Sequence, residues 1–215
     1  MTLRILLADD HQMFREALRL LLERNPDFEV VAETGDGLEV FALARAVSPD
    51  IVCLDIGMPG LNGIVIARQV TAALPRIKVI ALSTFSDRRY VKDMLNAGAA
   101  AYVTKAQAGV ELLRAIDAVK RNRSYLCPDA TDAVKEAMFD QAGDKPPPGT
   151  RLGARELQVL QLVADGFTSQ QIAERLGIAL STVEVHRRNI MRKLGVDSVA
   201  GLTRYAVRTG IVSDT

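Results

Sequence analysis

Polar residues recur in this 215-residue chain where short apolar runs give out. Asp9 and Asp10 follow Arg4 to Ala8, Asp55 closes Ile51 to Asp55, Ser83 follows Lys78 to Leu82, and Lys105 follows Ala101 to Thr104. Each alone has a plain explanation: paired aspartates after a strand usually cap a turn or helix, and a single lysine is usually a solvated charge. Three carboxylates converging at one edge would repel one another unless a cation offset them. A hard divalent ion such as Mg²⁺ suits them, since it is held by a few carboxylates, waters and phosphate oxygens. With that ion present, Asp55 can act as a nucleophile toward a phosphoryl donor, while the metal and Lys105 neutralise the equatorial oxygens. The product is an acyl phosphate on Asp55. The Ser83 hydroxyl is then placed to hydrogen-bond a phosphoryl oxygen, a contact made only in the modified state.

An open parallel sheet would gather these residues, because in such sheets ligands collect beyond the carboxyl ends of the strands. From Leu3 to about Arg121, short apolar runs alternate with segments of helical period, the pattern of strands joined by crossover helices. Strands are predicted at residues 4–8, 29–33, 51–55, 78–82 and 101–104. Between them, Phe14, Ala17, Leu18, Leu21 and Leu22 form one helical stripe, and others run through 38–46, 64–74, 88–97 and 109–120. The expected fold is therefore a doubly wound, flavodoxin-like α/β domain with a five-stranded parallel sheet and five helices.

A second group of residues sits near the C-terminus. Helices are predicted at 154–164, 169–176, 182–194 and 199–208, with Gly166, Gly177, Gly195 and Gly210 at their stops. Thr168 with Gln171, and Ser181 with Glu184, have the spacing of capping boxes, and Glu184 is read mainly as a cap. On the helix from Thr182, placing Val183 at zero puts Ile190 and Leu194 within about 20° of it at 100° per residue. Val185, Arg188 and Arg192 fall opposite, with Asn189 adjacent. Such a face suits a major groove: Arg pairs with guanine or phosphate, Asn with adenine, and Val touches a thymine methyl. A solvated face is the bland alternative. The preceding helix and the tight joint through Gly177-Ile178-Ala179-Leu180 favour a helix-turn-helix.

Two resemblances attach to these residues. Leu-Ala-Asp-Asp-His at 7–11, Leu-Asp-Ile-Gly-Met-Pro-Gly-Leu-Asn-Gly at 54–63, Ile-Ala-Leu-Ser at 80–83 and Ala-Tyr-Val-Thr-Lys at 101–105 resemble the receiver domain of two-component response regulators. The resemblance implies that Asp55 takes its phosphoryl group from a phosphohistidine on a partner sensor histidine kinase. It also implies that Asp10, Asp55 and the backbone carbonyl of Gly57 ligate Mg²⁺, that Asp9 assists, and that Ser83 and Tyr102 reorient together on phosphorylation. Gly57 departs from the bulkier residue often found there. Residues 151–212 resemble the LuxR-type, or NarL/FixJ-type, DNA-binding domain, through Arg155-Glu156-Leu157-Gln158-Val159-Leu160, Ala164-Asp165-Gly166-Phe167-Thr168, Gln171-Ile172-Ala173, Ser181-Thr182-Val183-Glu184-Val185-His186-Arg187 and Lys193-Leu194-Gly195-Val196. This implies a homodimer on an inverted repeat of double-stranded DNA, one recognition helix per half-site. Its contacts would come from Thr182, Glu184, Val185, His186, Arg188, Asn189, Arg192 and Lys193. Gly153 replaces a capping Thr of that family and Glu184 a frequent Lys.

Bulk properties agree with this division. Residues 151–215 hold nine Lys/Arg against six Asp/Glu, so the small C-terminal part is the basic one in a chain of net charge +1. We expect a receiver over 1–125, a linker over 126–150 and a DNA-binding domain over 151–215. Within the linker, Gly143 to Thr150 is Pro-rich, and residues 129–139 form a short helix belonging to either the receiver or the linker. Cys53 and Cys127 define no disulfide framework or metal spacing, and the N-terminal apolar run is too short for a signal peptide or membrane span. A cytoplasmic location follows, with no membrane partner. An Mg²⁺-dependent phosphohydrolase would need a general acid near Asp55, commonly two residues on, where Gly57 stands. A regulator driven by a small molecule would need an aromatic-lined cavity, and the chain has no Trp. The remaining alternative is a phosphorylation-dependent protein-binding regulator whose helix-turn-helix does not bind DNA. On every reading but the first the chain is no enzyme beyond its own phosphoryl transfer to Asp55 and its slow loss.

Overall fold

In the computed structural model, the described residues are 2–58, 60–84, 88–139, 152–208 and 211–212. Among them, strands and helices alternate in the order β1 (Leu3–Ala8), α1 (Gln12–Glu23), β2 (Phe28–Thr34), α2 (Gly37–Val47), β3 (Ile51–Asp55), α3 (Gly63–Ala73), β4 (Lys78–Ser83), α4 (Arg88–Asn96), β5 (Ala101–Thr104), α5 (Ala108–Lys120), β6 (Tyr125–Leu126) and α6 (Pro128–Phe139). Four further helices follow: α7 (Ala154–Ala164), α8 (Ser169–Leu176), α9 (Leu180–Leu194) and α10 (Val199–Arg208). The chain divides into two compact units, the α/β part and the all-helical part.

The sheet is wholly parallel, in the order β2-β1-β3-β4-β5-β6. All five residues of β3 are buried, as a central parallel strand covered on both faces requires. Ile5, Leu7, Cys53, Ile80, Leu82 and Val103 face one side and pack on Leu18 and Leu22 of α1 and Leu112 and Ile116 of α5. The two-residue period sends Tyr102 to the other face, where it is fully buried. The five expected strands are joined by β6, too short to leave a periodic signal, which pairs with β5 through Tyr102 and Leu126. The segment around 129–139 is helical and belongs to this unit, since α6 packs on α4, β5 and β6. Its Asp129 accepts from Gln107 Nε2 at 3.1 Å and Thr104 Oγ1 at 3.4 Å. The Pro-rich segment 143–150 and Gly210 lie outside the described residues.

In the helical unit, Val159, Leu160, Val163, Ile172, Val183, Ile190, Leu202 and Ala206 form one core. Thr168 and Gln171 make the expected capping box on α8. The second expected box does not form. Gly177 ends α8 with left-handed backbone (φ +61), the Ile178 N–H returns to the Ala173 carbonyl, and the chain re-enters a helix at once. Ala179 therefore takes the cap position of α9, so Ser181 and Glu184 fall inside the helix, and Glu184 is an exposed side chain rather than a cap. Gly153 caps α7 with no side chain of its own, while Glu156 accepts its N–H at 2.7 Å.

Candidate functional site

Strand register sets the pocket. Asp55 pairs with Leu82 and Ser83 with Thr104, so Asp55, Ser83 and Lys105 lie at adjacent strand ends, with Asp9 just beyond β1. The Lys105 ammonium stands 2.8 Å from Asp55 Oδ2 and 2.8 Å from Asp9 Oδ2. Asp9, Asp55 and Ser83 are nearly sealed from solvent, whereas Asp10 is exposed. The Gly57 N–H donates to Asp55 Oδ1 at 3.1 Å, and the His11 N–H to Asp9 Oδ1 at 2.9 Å.

This geometry decides the charge states. Burial, reinforced by the charge of Asp9, pushes the Asp55 carboxyl up to about 6, against the pull of Lys105 and the Gly57 N–H. Burial works against the Lys105 ammonium, yet Asp55 and Asp9 hold its pKa above the ordinary value. Three carboxylates against one ammonium leave two formal negative charges, which a divalent cation would neutralise. Asp9 Oδ2 is fully buried, with the Lys105 ammonium at 2.8 Å as its charged partner. The donor set is thus oxygen-rich and retains net negative charge, and it fits a hard divalent ion.

Two residues here carry no role in the sequence reading: His11 stands there only as the end of a motif, and Arg15 does not figure in it. His11 turns its Nδ1 to within 2.7 Å of Asp10 Oδ1, and Arg15 donates through Nη1 to the Asp9 carbonyl. The signal for His11 was available, since it directly follows the aspartate pair. Gly63 was noticed only as part of a motif: a Cβ there would lie 2.2 Å from the Asp55 carbonyl oxygen, so only glycine lets α3 start against the end of β3.

On α9, Val183 and Ile190 are buried, and Thr182, Glu184, Val185, Arg188 and Arg192 are exposed. Val185 keeps half of its surface in solvent. Asn189 and His186 are half-buried, and Asn189 Oδ1 accepts from Arg192 Nη2 at 3.1 Å. Lys193 is set apart from this face, its ammonium 2.6 Å from Glu156 Oε2 on α7. Burial opposes ionisation of Glu156, but Lys193 and the Gly153 N–H together lower its pKa. Arg187 donates to Ser169 Oγ at 2.6 Å, fixing α9 on the start of α8.

A doubly wound sheet with an acidic pocket at its strand ends, followed by a helix-turn-helix unit, joins an α/β module of the kind that binds ligands at its strand ends to a fold of the nucleic-acid-binding kind. Residues 5–117 match the family described as "Response regulator receiver domain", and residues 150–206 match "Bacterial regulatory proteins, luxR family". The transcriptional regulatory protein LiaR of Bacillus subtilis is 36% identical over 211 residues, covering 98% of this chain and 100% of LiaR. A LuxR-family two-component response regulator from Aurantimonas sp. SI85-9A1 is similar in structure, with a TM-score of 0.62 and 34% identity over 65% of this chain and 100% of that one. The response regulator RcsB of Salmonella typhimurium shares the fold with a TM-score of 0.70, at 22% identity over 99% of each chain. The chain belongs to the two-component response regulators that join a receiver domain to a LuxR-type DNA-binding domain. It is a transcription regulator rather than a metabolic catalyst. No helix among the described residues is long and apolar enough to cross a membrane.

Proposed function

We propose that Asp55 is the phosphoacceptor, loaded by a sensor histidine kinase in the cytoplasm, and that the resulting change promotes sequence-specific DNA binding by a homodimer. The observation that carries this reading is the Lys105 ammonium held 2.8 Å from both Asp55 and Asp9 at the strand ends. In the transfer, a carboxylate oxygen of Asp55 attacks the phosphorus, and the leaving group departs with the electron pair of the broken bond. Asp55 reacts only as carboxylate, so the groups that lower its pKa favour the reaction. Lys105 faces the transferred oxygens, and the Gly57 N–H orients the attacking carboxylate. Asp10, Asp55 and the Gly57 carbonyl, with help from Asp9, would hold Mg²⁺, which would supply charge neutralisation when bound.

Ser83 then gains a phosphoryl contact that the unmodified protein lacks, and Tyr102, buried on the neighbouring strand, turns with it. The population shifts toward a receiver surface around α4 and α5 that dimerises or releases the DNA-binding domain. In the helical unit, Thr182, Glu184, Val185, His186, Arg188, Asn189 and Arg192 meet an inverted-repeat duplex, one α9 per half-site. Lys193 joins them only by leaving Glu156. The receiver comprises 1–125 together with β6 and α6, which pack on it and extend it to Phe139, and the DNA-binding domain comprises 151–215. Intact mass after incubation with acetyl phosphate and Mg²⁺ tests the assignment. The wild type gains one phosphoryl group and Asp55→Asn none; a wild type that stays unmodified while a control receiver loads refutes it. A mobility-shift assay on the loaded protein separates DNA binding from a purely protein-binding output.

A further inference from the structure

The imidazole of His11 stands beside the acidic pocket and has no part in the proposed chemistry. It occupies the cap position of α1 (φ −81°, ψ 98°), where a short side chain normally accepts a first-turn N–H, and it makes no such bond. Its Nδ1 turns back over the carboxylates instead, 2.7 Å from Asp10 Oδ1, 3.3 Å from Asp9 Oδ1 and 3.5 Å from Lys105 Nζ. One ring nitrogen of His11 and one oxygen each from Asp9, Asp10 and Asp55 lie within 4.8 Å of one another. Donors about 2.1 Å from a shared ion sit at most about 4.2 Å apart, so a contraction of a few tenths of an ångström brings all four onto one ion. The Lys105 ammonium marks where positive charge is wanted, 2.8 Å from both buried carboxylates, and one such charge does not balance three carboxylates.

We propose that His11 is a nitrogen ligand to the divalent ion of this pocket, and that it raises the preference for Mn²⁺ and Co²⁺ over Mg²⁺ beyond what the carboxylates alone would set. Mg²⁺ favours an all-oxygen shell and gains little from an imidazole, whereas transition ions bind imidazole well and increasingly along the series from Mn²⁺ to Co²⁺. The inference rests on the reading of the pocket as the ion site beside Asp55.

Calorimetric titration of the full chain with Mg²⁺, Mn²⁺ and Co²⁺ tests it, comparing wild type with His11→Phe, which keeps a ring and removes the nitrogen. The side chain is half exposed, so the substitution leaves the core untouched. Mn²⁺ and Co²⁺ should weaken about tenfold or more, and Mg²⁺ by less than about threefold. Pulsed electron paramagnetic resonance of the Mn²⁺-loaded wild type should show a coupled imidazole nitrogen that His11→Phe lacks. Equal weakening of all three ions, or a loaded wild type without nitrogen coupling, overturns the inference and leaves His11 as a group that orients Asp10. A wild type that binds none of the three ions refutes the pocket reading itself and this inference with it.

Discussion

At Asp55, burial and the charge of Asp9 raise the carboxyl to about 6, and that shift is a statement about stability. A carboxyl whose folded pKa lies above its unfolded value favours folding in its protonated form, so stability falls as pH rises from about 4 through about 6. A rise to about 6 corresponds to no more than about 3 kcal/mol. The metal-free Asp55→Asn variant should therefore melt several degrees above the wild type at pH 7.5, and the difference should vanish near pH 4. Scanning calorimetry in a chelator checks this, and an Asn variant melting at or below the wild type at pH 7.5 contradicts it. Adding Mg²⁺ should narrow the gap by stabilising the wild type more than the variant. The position of Asp9, Asp55, Ser83 and Lys105 at one edge was legible in the sequence because each ends an apolar run. The turning of His11 and the pairing of Lys193 with Glu156 were not. Both depend on which neighbour a long or two-sided side chain meets in space, and one-dimensional spacing does not record that.

Among the elements, the corner between β3 and α3 is the tightest joint near the pocket. Gly63 donates its N–H to the Ile56 carbonyl at 3.0 Å, and a Cβ there would stand 2.8 Å from Ile56 Cα as well as against the Asp55 carbonyl. These obstacles are backbone atoms that cannot rotate away. Gly63→Ala should cost about 3 kcal/mol or more and slow loading of Asp55 by acetyl phosphate, because relief of the clash moves the end of β3. Thermal melting and the rate of mass gain check it together; a variant matching the wild type in both would show that the corner yields freely. The existence of the five expected strands and the helices between them was legible in the sequence, as the apolar run Ile51 to Leu54 leading into Asp55 in β3 illustrates. The start of α9 was not, because the Ser181 and Glu184 pattern is a genuine local preference overruled by the early turn at Gly177. β6 was not legible either: its two residues owe their strand geometry to β5 beside them, not to any pattern of their own.

For the whole molecule, receiver and DNA-binding unit are joined by thermodynamics whatever route the coupling takes. If the phosphorylated receiver state raises DNA affinity by some factor, bound DNA must raise the affinity for that state by the same factor. Beryllofluoride, which binds reversibly at a phosphoacceptor aspartate in place of the phosphoryl group, turns this into an equilibrium measurement. A duplex selected in vitro by the protein would be titrated with and without beryllofluoride and Mg²⁺, and beryllofluoride titrated with and without saturating duplex. Coupling of 1–3 kcal/mol, roughly 5- to 150-fold, is the usual range for such linkage. The two shifts should agree, and both should disappear in Asp55→Asn. Arg188→Ala should weaken the duplex in every condition yet leave the ratio between conditions unchanged, if this exposed side chain on α9 acts only through the DNA contact proposed for it. A ratio that changed with Arg188→Ala would mean that α9 takes part in setting the receiver equilibrium. Unequal shifts in the wild type would mean that beryllofluoride or DNA acts on a third state, and the two-state population shift would have to be abandoned.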